Sequence, residues 1–361
     1  MLMAMNDCQQ LINAATADRQ LAYQCPGCSQ PVRLKRGSVV VPHFAHVHVT
    51  DCHIFSEGET AEHLCGKQLL ATWFAASGYK VRLEAELADL HQRPDVLVQR
   101  ATAPPLALEF QCAPLSVDRL AARTHGYWRH GYQVLWLLGR PYQRQLHLNS
   151  KALKFLQYQQ QWGPYLLFLH VTTANVQLLH HILTLDAEPL SYQSYWLNTK
   201  QQSVTNLRRF TATIDTLPLT TNHLQRYYQY LMLARLRHQH VFEQLQAYCY
   251  HRGGTIAQLP SWTIPTIPQL PILAVPYLVW HGHVFGALRQ RTGDLTSGQL
   301  RALIWHQLRP LLARRVCLHA RGQLLQQQIT VIMTMLVDQR VIIKQGSVWQ
   351  INAQQLKWRD R

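Results

Sequence analysis

Residues 106–112 read Leu-Ala-Leu-Glu-Phe-Gln-Cys, and the fold predicted for the surrounding chain is built outward from them. Large apolar side chains alternate here with smaller or polar ones, which is typical of a β-strand because successive side chains point to opposite faces. Glu109 and Gln111 lie two positions apart, so both are expected to project side by side from one face. This strand is the centre of the predicted core.

The chain before this strand predicts one helix and one further strand. Ser56 and Glu59 have the form of a capping box and Gly78 is a natural stop, so residues 57–77 are expected to form a single helix. Apolar and charged side chains then alternate over residues 79–87, which indicates a half-buried strand.

Asp95 follows Pro94 at the start of another predicted strand. Further along, Ser116 is a suitable N-cap for a helix that reaches to about Gly131. The apolar run over residues 132–138 is typical of a central strand. The order of elements is therefore helix, strand, strand, strand, helix, strand, written αβββαβ, and it predicts an α/β fold class.

Three carboxylates occupy notable positions in this core. Glu62 falls at the edge of the apolar arc of its helix, and burying a charge is costly unless a partner or a metal ion stabilises it. Asp95 and Glu109 stand on neighbouring strands. Mg²⁺ and Mn²⁺ prefer oxygen ligands, so these residues are candidates for a cation site, with Gln111 beside them. Each also has an ordinary alternative as a helix-edge, turn or solvated strand residue.

A cluster of cysteine and histidine residues precedes the core, and zinc takes four such ligands tetrahedrally. The predicted ligands are Cys25, Cys28, His43 and His46. They predict a structural, zinc-ribbon-like module over residues 1–55. The gap between the two histidines is shorter than usual, so other fourth ligands stay open: His48, Cys52 and His53. The alternative to a metal site is a pair of buried free cysteines near surface histidines.

Positive charge is concentrated in the second part of the chain. Residues 1–140 carry 13 Lys and Arg against 12 Asp and Glu, whereas residues 141–361 carry 22 against 7. Such a surplus favours a polyanionic partner such as DNA, because each neutralised phosphate releases condensed counterions. The candidate phosphate contacts are Arg208, Arg209, Arg235, Arg237, Arg314 and Arg315. The alternative is a solvated basic surface without a partner.

A core domain over residues 56–140 is predicted to precede a basic C-terminal region of mixed α+β structure over residues 141–361. A hairpin is expected to turn at residues 172–175. The last predicted elements are a helix at about 324–337 and a hairpin that turns at residues 345–347. Helix and hairpin together fit either a winged-helix-like end, possible in a DNA-binding region, or a plain helix and hairpin.

The sequence predicts a cytoplasmic protein without membrane association. No run of about 18 apolar residues occurs, and the N-terminus lacks the basic and apolar regions of a secretory signal. The eight cysteines are too sparse and irregular for a secreted disulfide scaffold, so we expect a reducing compartment.

Six short motifs occur in the order found in the competence protein CoiA-like family, so residues 20–140 resemble that family. They are CPGC, PHFAH, SEGETAEHLCGKQLL, RPDVLV, LEFQCAPLS and YQVLWLLG. The rest of the chain resembles the family only weakly. The αβββαβ order, with an acidic residue on the helix and Glu-x-Gln on a strand, is also similar to the PD-(D/E)xK nuclease fold.

This resemblance implies a Mg²⁺- or Mn²⁺-dependent deoxyribonuclease that processes or recombines DNA during natural transformation. It implies metal binding by Asp95 and Glu109 with assistance from Glu62, and it sets Gln111 where many such nucleases have lysine. Further residues within the resembling stretch 20–140 are His63, Arg93, Arg123 and Tyr127. Of these, the two arginines and the tyrosine are candidate contacts to nucleic acid.

Two other functions are consistent with the same motifs. The first is a non-catalytic, DNA-binding accessory protein of recombination that keeps the nuclease fold as a scaffold, because a fold alone does not establish an activity. The second is a protein-interaction factor recruited to recombinases through the basic region. Gln111 bears on this choice, since its amide cannot supply the positive charge of a lysine.

Overall fold

The computed structural model describes residues 1–38, 40–48, 52, 60–148, 150–213 and 222–360 of the 361-residue chain. These residues form two compact units. The first unit contains residues 1–145, 151–180 and 193–212, and the second contains residues 146–150, 181–192 and 213–361.

Both units contain helices and strands. The helices are α1 (Ala61–Ala76), α2 (Val117–Arg129), α3 (Val204–Arg209), α4 (His223–Leu236), α5 (His240–Tyr250), α6 (Tyr277–Arg289), α7 (Ser297–Leu308) and α8 (Arg321–Asp338). The strands are β1 (Met3–Met5), β2 (Leu11–Asn13), β3 (Tyr23–Gln24), β4 (Pro31–Lys35), β5 (His43–His46), β6 (Lys80–Leu83), β7 (Val96–Gln99), β8 (Leu106–Gln111), β9 (Gln133–Leu138), β10 (Gln157–Gln159), β11 (Gly163–His170), β12 (Asn175–Leu183), β13 (Ser191–Asn198), β14 (Leu295–Thr296), β15 (Ile342–Gln345) and β16 (Val348–Ile351).

The N-terminal sheet has the strand order β2-β1-β3-β4-β5, and the paired strands are antiparallel. Its small core includes Tyr23, Val32 and Phe44, and the rings of Tyr23 and Phe44 lie 4.8 Å apart. Cys25 and Cys52 are buried in the same core. A module of this size buries little apolar surface, so it depends on additional support such as a metal ion.

The main sheet has the strand order β13-β12-β11-β9-β8-β7-β6 within the described residues, and β10 pairs with β11 outside this path. β9 runs parallel to both β8 and β11, whereas β7 is antiparallel to both β6 and β8. From α1 to β9 the elements follow the αβββαβ order expected from the sequence.

This sheet continues past residue 140, where the sequence analysis set a domain boundary. Leu167 of β11 pairs with Leu137 of β9, and β12 returns antiparallel to β11 as the hairpin expected around residues 172–175. β11 is buried over nearly its whole length, as expected for a strand covered on both faces. Residues 157–198, assigned from sequence to the basic C-terminal region, therefore extend the sheet of the core.

Two helices cover opposite faces of the main sheet. Phe74 of α1 packs in the same core as Leu108 of β8, whereas Tyr127 of α2 packs in the same core as Ala107. Because side chains alternate along a strand, Glu109 shares the face of Ala107. The carboxylate of Glu109 is thereby directed to the side of the sheet that α2 covers.

α1 begins later than the sequence predicts. Its N-cap is Thr60, whose side chain accepts a hydrogen bond from the backbone N–H of His63. The predicted capping residues Ser56 and Glu59 lie outside the described residues. The cap fixes the first turn of the helix, from which His63 reaches the carboxylates of the sheet.

The second unit is mainly helical. Asp186 accepts hydrogen bonds from the backbone N–H groups of Tyr277 and Leu278 at the start of α6. A three-stranded sheet has the order β14-β16-β15 in the described residues, and β15 and β16 form the hairpin expected from the sequence. Gly346 in its turn has a φ of 58°, which glycine adopts readily. Among the described residues, none of the helices combines the length and hydropathy needed to cross a bilayer.

The close approach of α1 to β8 depends on Gly66. A Cβ atom at this position would lie 2.1 Å from a ring carbon of Phe110, far inside van der Waals contact. We expect Gly66→Ala to lower the free energy of unfolding by about 1–3 kcal/mol, because an added methyl group in a packed core forces neighbouring atoms to shift. Denaturant unfolding followed by circular dichroism measures the change.

The matched control is Gly37→Ala, since an added Cβ there meets no atom within 4 Å. This variant should unfold at the same denaturant concentration as the wild type. Equal stability of Gly66→Ala and the wild type would contradict the close packing of α1 on β8.

Candidate functional site

Asp95 and Glu109 lie opposite each other on neighbouring strands. β7 and β8 pair Val96 with Leu108, so the same register continued by one residue sets Asp95 opposite Glu109. The backbone N–H of Phe110 donates to Asp95 Oδ2 at 2.8 Å, which holds the aspartate against β8. The sequence expectation that these two carboxylates converge is met in the structure.

Asp95 is surrounded by positively charged and polar donors. His63 Nε2 lies 3.1 Å from its Oδ2, and Lys67 Nζ lies 3.9 Å from its Oδ1. Burial by itself would raise the pKa of Asp95, but His63, Lys67 and Arg123 lower it to about 2. Asp95 is therefore ionised at neutral pH.

Glu109 has the opposite electrostatic balance. Its side chain is 2% exposed, and it accepts hydrogen bonds from Arg123 Nη2 at 2.6 and 2.7 Å and from the Tyr127 hydroxyl at 2.5 Å. Burial raises the pKa of Glu109 to about 7 with a further increase from Asp95, although Arg123 and Tyr127 act in the other direction. Two facing carboxylates thus have widely separated pKa values, as expected when both cannot easily be ionised together.

Glu84 and Lys67 form a buried ion pair beside this site that the sequence analysis missed. Each side chain is 1% exposed, and Lys67 Nζ donates to Glu84 Oε1 at 2.5 Å. Glu84 also accepts from Arg93 and from the backbone N–H groups of Leu2 and Met3 at 3.0 and 3.1 Å. This network links the N-terminal sheet to the residue, Lys67, that lies next to Asp95.

The sequence contained indications of this ion pair, but the predicted strand over residues 79–87 concealed the role of Glu84. Lys67 lies three residues after Leu64 and three before Leu70, so it falls on the buried stripe of α1. The alternating pattern over residues 79–87 suggested that Glu84 faces solvent. β6 ends at Leu83 instead, and Glu84 adopts a φ of 49°, which turns the chain out of the strand.

Gln111 and Glu62 have different surroundings from those expected. Gln111 lines a small cavity of about 30 Å³ with His63, Asp95 and Glu109, but its amide nitrogen donates to the Ala113 carbonyl at 2.7 Å. That nitrogen is therefore already used in a structural hydrogen bond. Glu62 accepts a hydrogen bond from the backbone N–H of Arg140 at 2.8 Å and does not line this cavity.

Arg93, Arg123 and Tyr127 were predicted to contact nucleic acid, and each has a partner inside the chain instead. Arg93 pairs with Glu84 and its side chain is 7% exposed. Tyr127 is 0% exposed and donates to Glu109, so it is not accessible to DNA. Arg123 keeps partial exposure but binds Glu109 through both carboxylate oxygens. We therefore assign these three residues to the support of the carboxylates.

The remaining arginines predicted to bind phosphate differ in exposure. The exposed ones are Arg208, Arg209, Arg235, Arg237 and Arg314. Arg315 is partly buried and donates to the carbonyl of Pro271 at 3.0 Å, and burial lowers its pKa to about 10. Arg315 is thus held by contacts within the chain, whereas the five exposed arginines stay candidates for phosphate binding.

A second cluster of chemically active residues lies in the N-terminal sheet. Its members are Cys25, Cys28, His46 and Cys52, whose ligand atoms all lie within 4.8 Å of one another. The Cys28 Sγ and His46 Nε2 atoms are 3.3 Å apart, and the Cys25 and Cys52 Sγ atoms are 3.9 Å apart. Burial raises the pKa of Cys25 to about 12, so its thiolate requires a nearby cation. Three sulfurs and one imidazole at this spacing could hold a metal ion.

His43, predicted as a ligand, is replaced in this cluster by Cys52. His43 and His46 lie three residues apart on β5, so their side chains point to opposite faces of the strand. His43 Nδ1 forms a 2.8 Å hydrogen bond with the Val41 carbonyl. His48 is described but is not in the cluster, and His53 lies outside the described residues.

The revised ligand set predicts how metal binding responds to substitution. We expect Cys52→Ser to lose the bound metal and His43→Ala to retain it, because only the cysteine contributes a ligand atom to the cluster. Elemental analysis of the purified chains gives the metal content per molecule. Loss of the metal from His43→Ala with retention in Cys52→Ser would favour the ligand set predicted from sequence.

The raised pKa of Glu109 predicts a pH-dependent contribution to stability. The protonated carboxyl contributes stability that is fully present below the ordinary pKa of 4.5 and is lost as pH rises through about 7. Glu109→Gln cannot ionise, so its free energy of unfolding relative to the wild type should rise from pH 5 to pH 8. Asp95 titrates below this window, since its pKa is lowered to about 2.

Urea unfolding of both chains across that pH range measures the difference. The matched control is Glu86→Gln, which makes the same carboxylate-to-amide change at an exposed position. A pH-independent difference for Glu109→Gln would show that this carboxyl is not held largely protonated by burial.

The chain is similar to proteins that act in bacterial competence. Residues 59–212 match the family model for the nuclease-like domain of competence protein CoiA, and residues 7–55 match the model for its N-terminal domain. Competence protein CoiA of Bacillus subtilis (strain 168) is 36% identical over 117 residues, which is 32% of this chain and 31% of that relative. The match thus spans about a third of the relative's length. No solved structure matches the chain.

The two family matches coincide with the two sites described above. The Cys/His cluster falls within the N-terminal match, and Asp95, Glu109 and their partners fall within the nuclease-like match. Together these matches show that the chain belongs to the competence protein CoiA family.

Proposed function

We propose that this chain is a Mg²⁺- or Mn²⁺-dependent deoxyribonuclease that processes DNA during natural transformation, with a core of the PD-(D/E)xK type. The observation that carries the proposal is the facing pair of Asp95 and Glu109 at one cavity, with pKa values of about 2 and about 7. Strongly separated pKa values of neighbouring acids are characteristic of catalytic sites, although structural networks also produce them. The αβββαβ order and the family membership support the same conclusion.

The residues present fit a hard divalent cation. Asp95 and Glu109 offer carboxylate oxygens, which Mg²⁺ and Mn²⁺ prefer, and burial together with the nearby charge of Asp95 raises the pKa of Glu109. When bound, such a cation would neutralise charge on a phosphodiester and lower the pKa of an attacking water. Asp95 and Glu109 would hold it, and Glu62 has no part in this set because it contacts the backbone of Arg140.

Lys67 supports catalysis in a way that the sequence did not suggest. Gln111 stands where the related motif has lysine, and its amide carries no charge. The ammonium of Lys67 reaches the site from α1 and lies 3.9 Å from Asp95 Oδ1. We propose that Lys67 supplies the positive charge at this position, with His63 orienting Asp95 from the same helix.

We further propose that the Cys25, Cys28, His46 and Cys52 cluster holds zinc. Four protein ligands of nitrogen and sulfur form a closed tetrahedral set, which is typical of structural rather than catalytic zinc. The ion would stabilise a small sheet whose backbone at Leu2 and Met3 contacts Glu84. Zinc would therefore act on the nuclease site indirectly, through the position of Glu84.

DNA binding is proposed for the exposed arginines of the second unit. The order helix, strand, helix, helix, strand, strand from α6 to β16, with sheet order β14-β16-β15, is that of a winged helix. Arg314 lies between α7 and α8 and is exposed. Contacts to phosphate by such residues would give affinity without strong sequence preference.

A DNA-binding accessory protein without nuclease activity is the second candidate. Two observations favour it: Gln111 replaces a lysine, and Glu109 is already neutralised by Arg123 through two hydrogen bonds. In this case the buried ion pairs would only stabilise the fold. Measured cleavage distinguishes the two candidates.

The deciding experiment measures cleavage of single-stranded, duplex and branched DNA with Mg²⁺ or Mn²⁺. We expect Asp95→Asn and Glu109→Gln to reduce the cleavage rate at least about 100-fold, because each removes a charged ligand of the cation. DNA affinity should change little, since the exposed arginines are unaltered. Glu86→Gln, at an exposed carboxylate, should cleave as the wild type does.

The cleavage rate of Gln111→Lys is a second test of the same site. The substitution introduces the commoner lysine into the cavity lined by Asp95 and Glu109, and retained or increased activity would support a catalytic role for this position. Cleavage by Asp95→Asn and Glu109→Gln at the wild-type rate would overturn the proposed active site. Absence of cleavage by the folded wild type under all these conditions would favour the accessory function.

A further inference from the structure

A second concave site lies in the first unit, at the opposite end of β8 from Glu109. It has a volume of about 430 Å³ and is lined by the beginning of β8 at Leu106 and of β9 at Gln133, together with the ends of α1 and α3. We call it the arginine groove, after Arg100 and Arg208 in its wall. The metal-binding carboxylates do not line it.

Two arginines face this groove without a compensating acid. Neither Arg100 nor Arg208 forms an ion pair within the described residues, and no Asp or Glu of that part of the chain lines the groove. Burial lowers the pKa of Arg100, and the nearby charge of Arg208 lowers it further. Two adjacent guanidinium groups in a partly desolvated wall form a natural site for an anion.

Both guanidinium groups are held in place by neighbouring residues. Arg100 donates to the Pro104 carbonyl through Nε at 2.7 Å and to Gln133 Oε1 at 3.0 Å. Arg208 donates to the Tyr79 hydroxyl at 2.8 Å. A site whose donors are already oriented loses less conformational entropy when a ligand binds.

The helix that carries Arg208 is itself anchored. The backbone N–H of Val204 donates to Ser77 Oγ at 2.9 Å, which joins the start of α3 to the end of α1. Ser203 and Asn206 form a capping box, and Leu207 is buried in the main core. The groove is therefore a built feature of the fold rather than a gap between mobile side chains.

The rest of the lining indicates what accompanies the anion. The half-buried ring of Tyr79 and the buried rings of Phe74 and Trp162 line the groove, together with the amides of Gln133, Gln159 and Gln161. Aromatic faces stack on nucleobases, and amides form hydrogen bonds with base edges. An acyl chain would leave the remaining polar atoms of these amides without partners, and inorganic phosphate alone would leave the ring of Tyr79 uncovered.

We propose that the arginine groove binds a nucleoside monophosphate moiety, with its phosphate on Arg100 and Arg208 and its base against the ring of Tyr79. The volume lies within the roughly 300–1,000 Å³ usual for small-ligand sites. The moiety belongs either to a free mononucleotide or to the terminal nucleotide of a DNA strand. The proposal does not depend on nuclease activity, since no residue of the carboxylate site takes part.

Isothermal titration calorimetry of the full-length chain with deoxyadenosine monophosphate tests this site. We expect Arg100→Gln and Arg208→Gln each to weaken binding about tenfold or more, because each removes a charged donor to the phosphate. The matched control is Arg209→Gln, an exposed neighbour on α3 that does not line the groove, and it should bind as the wild type does. Deoxyadenosine and inorganic phosphate should each bind more weakly than the nucleotide.

Arg208→Gln is expected to fold normally, because Arg208 is exposed and the substitution removes only the hydrogen bond to Tyr79. Weaker binding by this variant would therefore not result from misfolding. Competition by an oligonucleotide with a 5′-phosphate, but not by the same strand with a 5′-hydroxyl, would identify a strand end as the source. Competition by neither strand would identify the free nucleotide. Absence of nucleotide binding by the wild type, or equal binding by Arg208→Gln, would overturn the proposal.

Discussion

Two carboxylates that face each other in a poorly solvated cavity set the requirements for the rest of the first unit. Asp95 and Glu109 stand opposite each other on antiparallel strands, and burial disfavours two negative charges in one cavity. The surrounding residues shift the pKa values of the two acids in opposite directions. Asp95 is kept ionised by His63 and Lys67, whereas Glu109 has its pKa raised to about 7 despite Arg123. A divalent cation is the simplest addition that would allow both acids to be ionised.

The buried ammonium of Lys67 near Asp95 needs a negatively charged partner, and Glu84 has that role. It accepts from Lys67, from Arg93 and from two backbone N–H groups of the N-terminal sheet, so its charge is fully shared among donors. Removing one partner of such a network leaves another charge buried and unpaired, which costs several kcal/mol. The N-terminal module and the carboxylate site are therefore coupled through Glu84. A metal ion in the Cys/His cluster would strengthen this coupling by fixing the small sheet.

The sequence predicted the order of the core elements and the face of β8 that carries Glu109, because these depend on local periodicity. Alternation along residues 106–112 correctly set Glu109 on one face, and the period of two explains why His46, but not His43, joins the Cys/His cluster. It did not predict the contacts of Glu84, because a positive φ at Glu84 ends the strand at Leu83 although the alternating pattern continues to residue 87. It did not reveal the contacts of Lys67, since pairing across 17 residues of chain depends on tertiary structure. The sheet beyond residue 140 was missed for the same reason.

Under the proposed nuclease function, the position of Lys67 would account for a glutamine at residue 111. Gln111 is 4% exposed and its amide nitrogen bonds to Ala113, so a lysine there would have to bury its ammonium near Arg123. Lys67 instead approaches from α1, where Glu84 compensates its charge, and it still lies 3.9 Å from Asp95. Because α1 also carries His63, a single helix delivers two of the three groups that lower the pKa of Asp95. The spacing of α1 from β8, set by Gly66 against Phe110, therefore controls the electrostatics of the site as well as its packing.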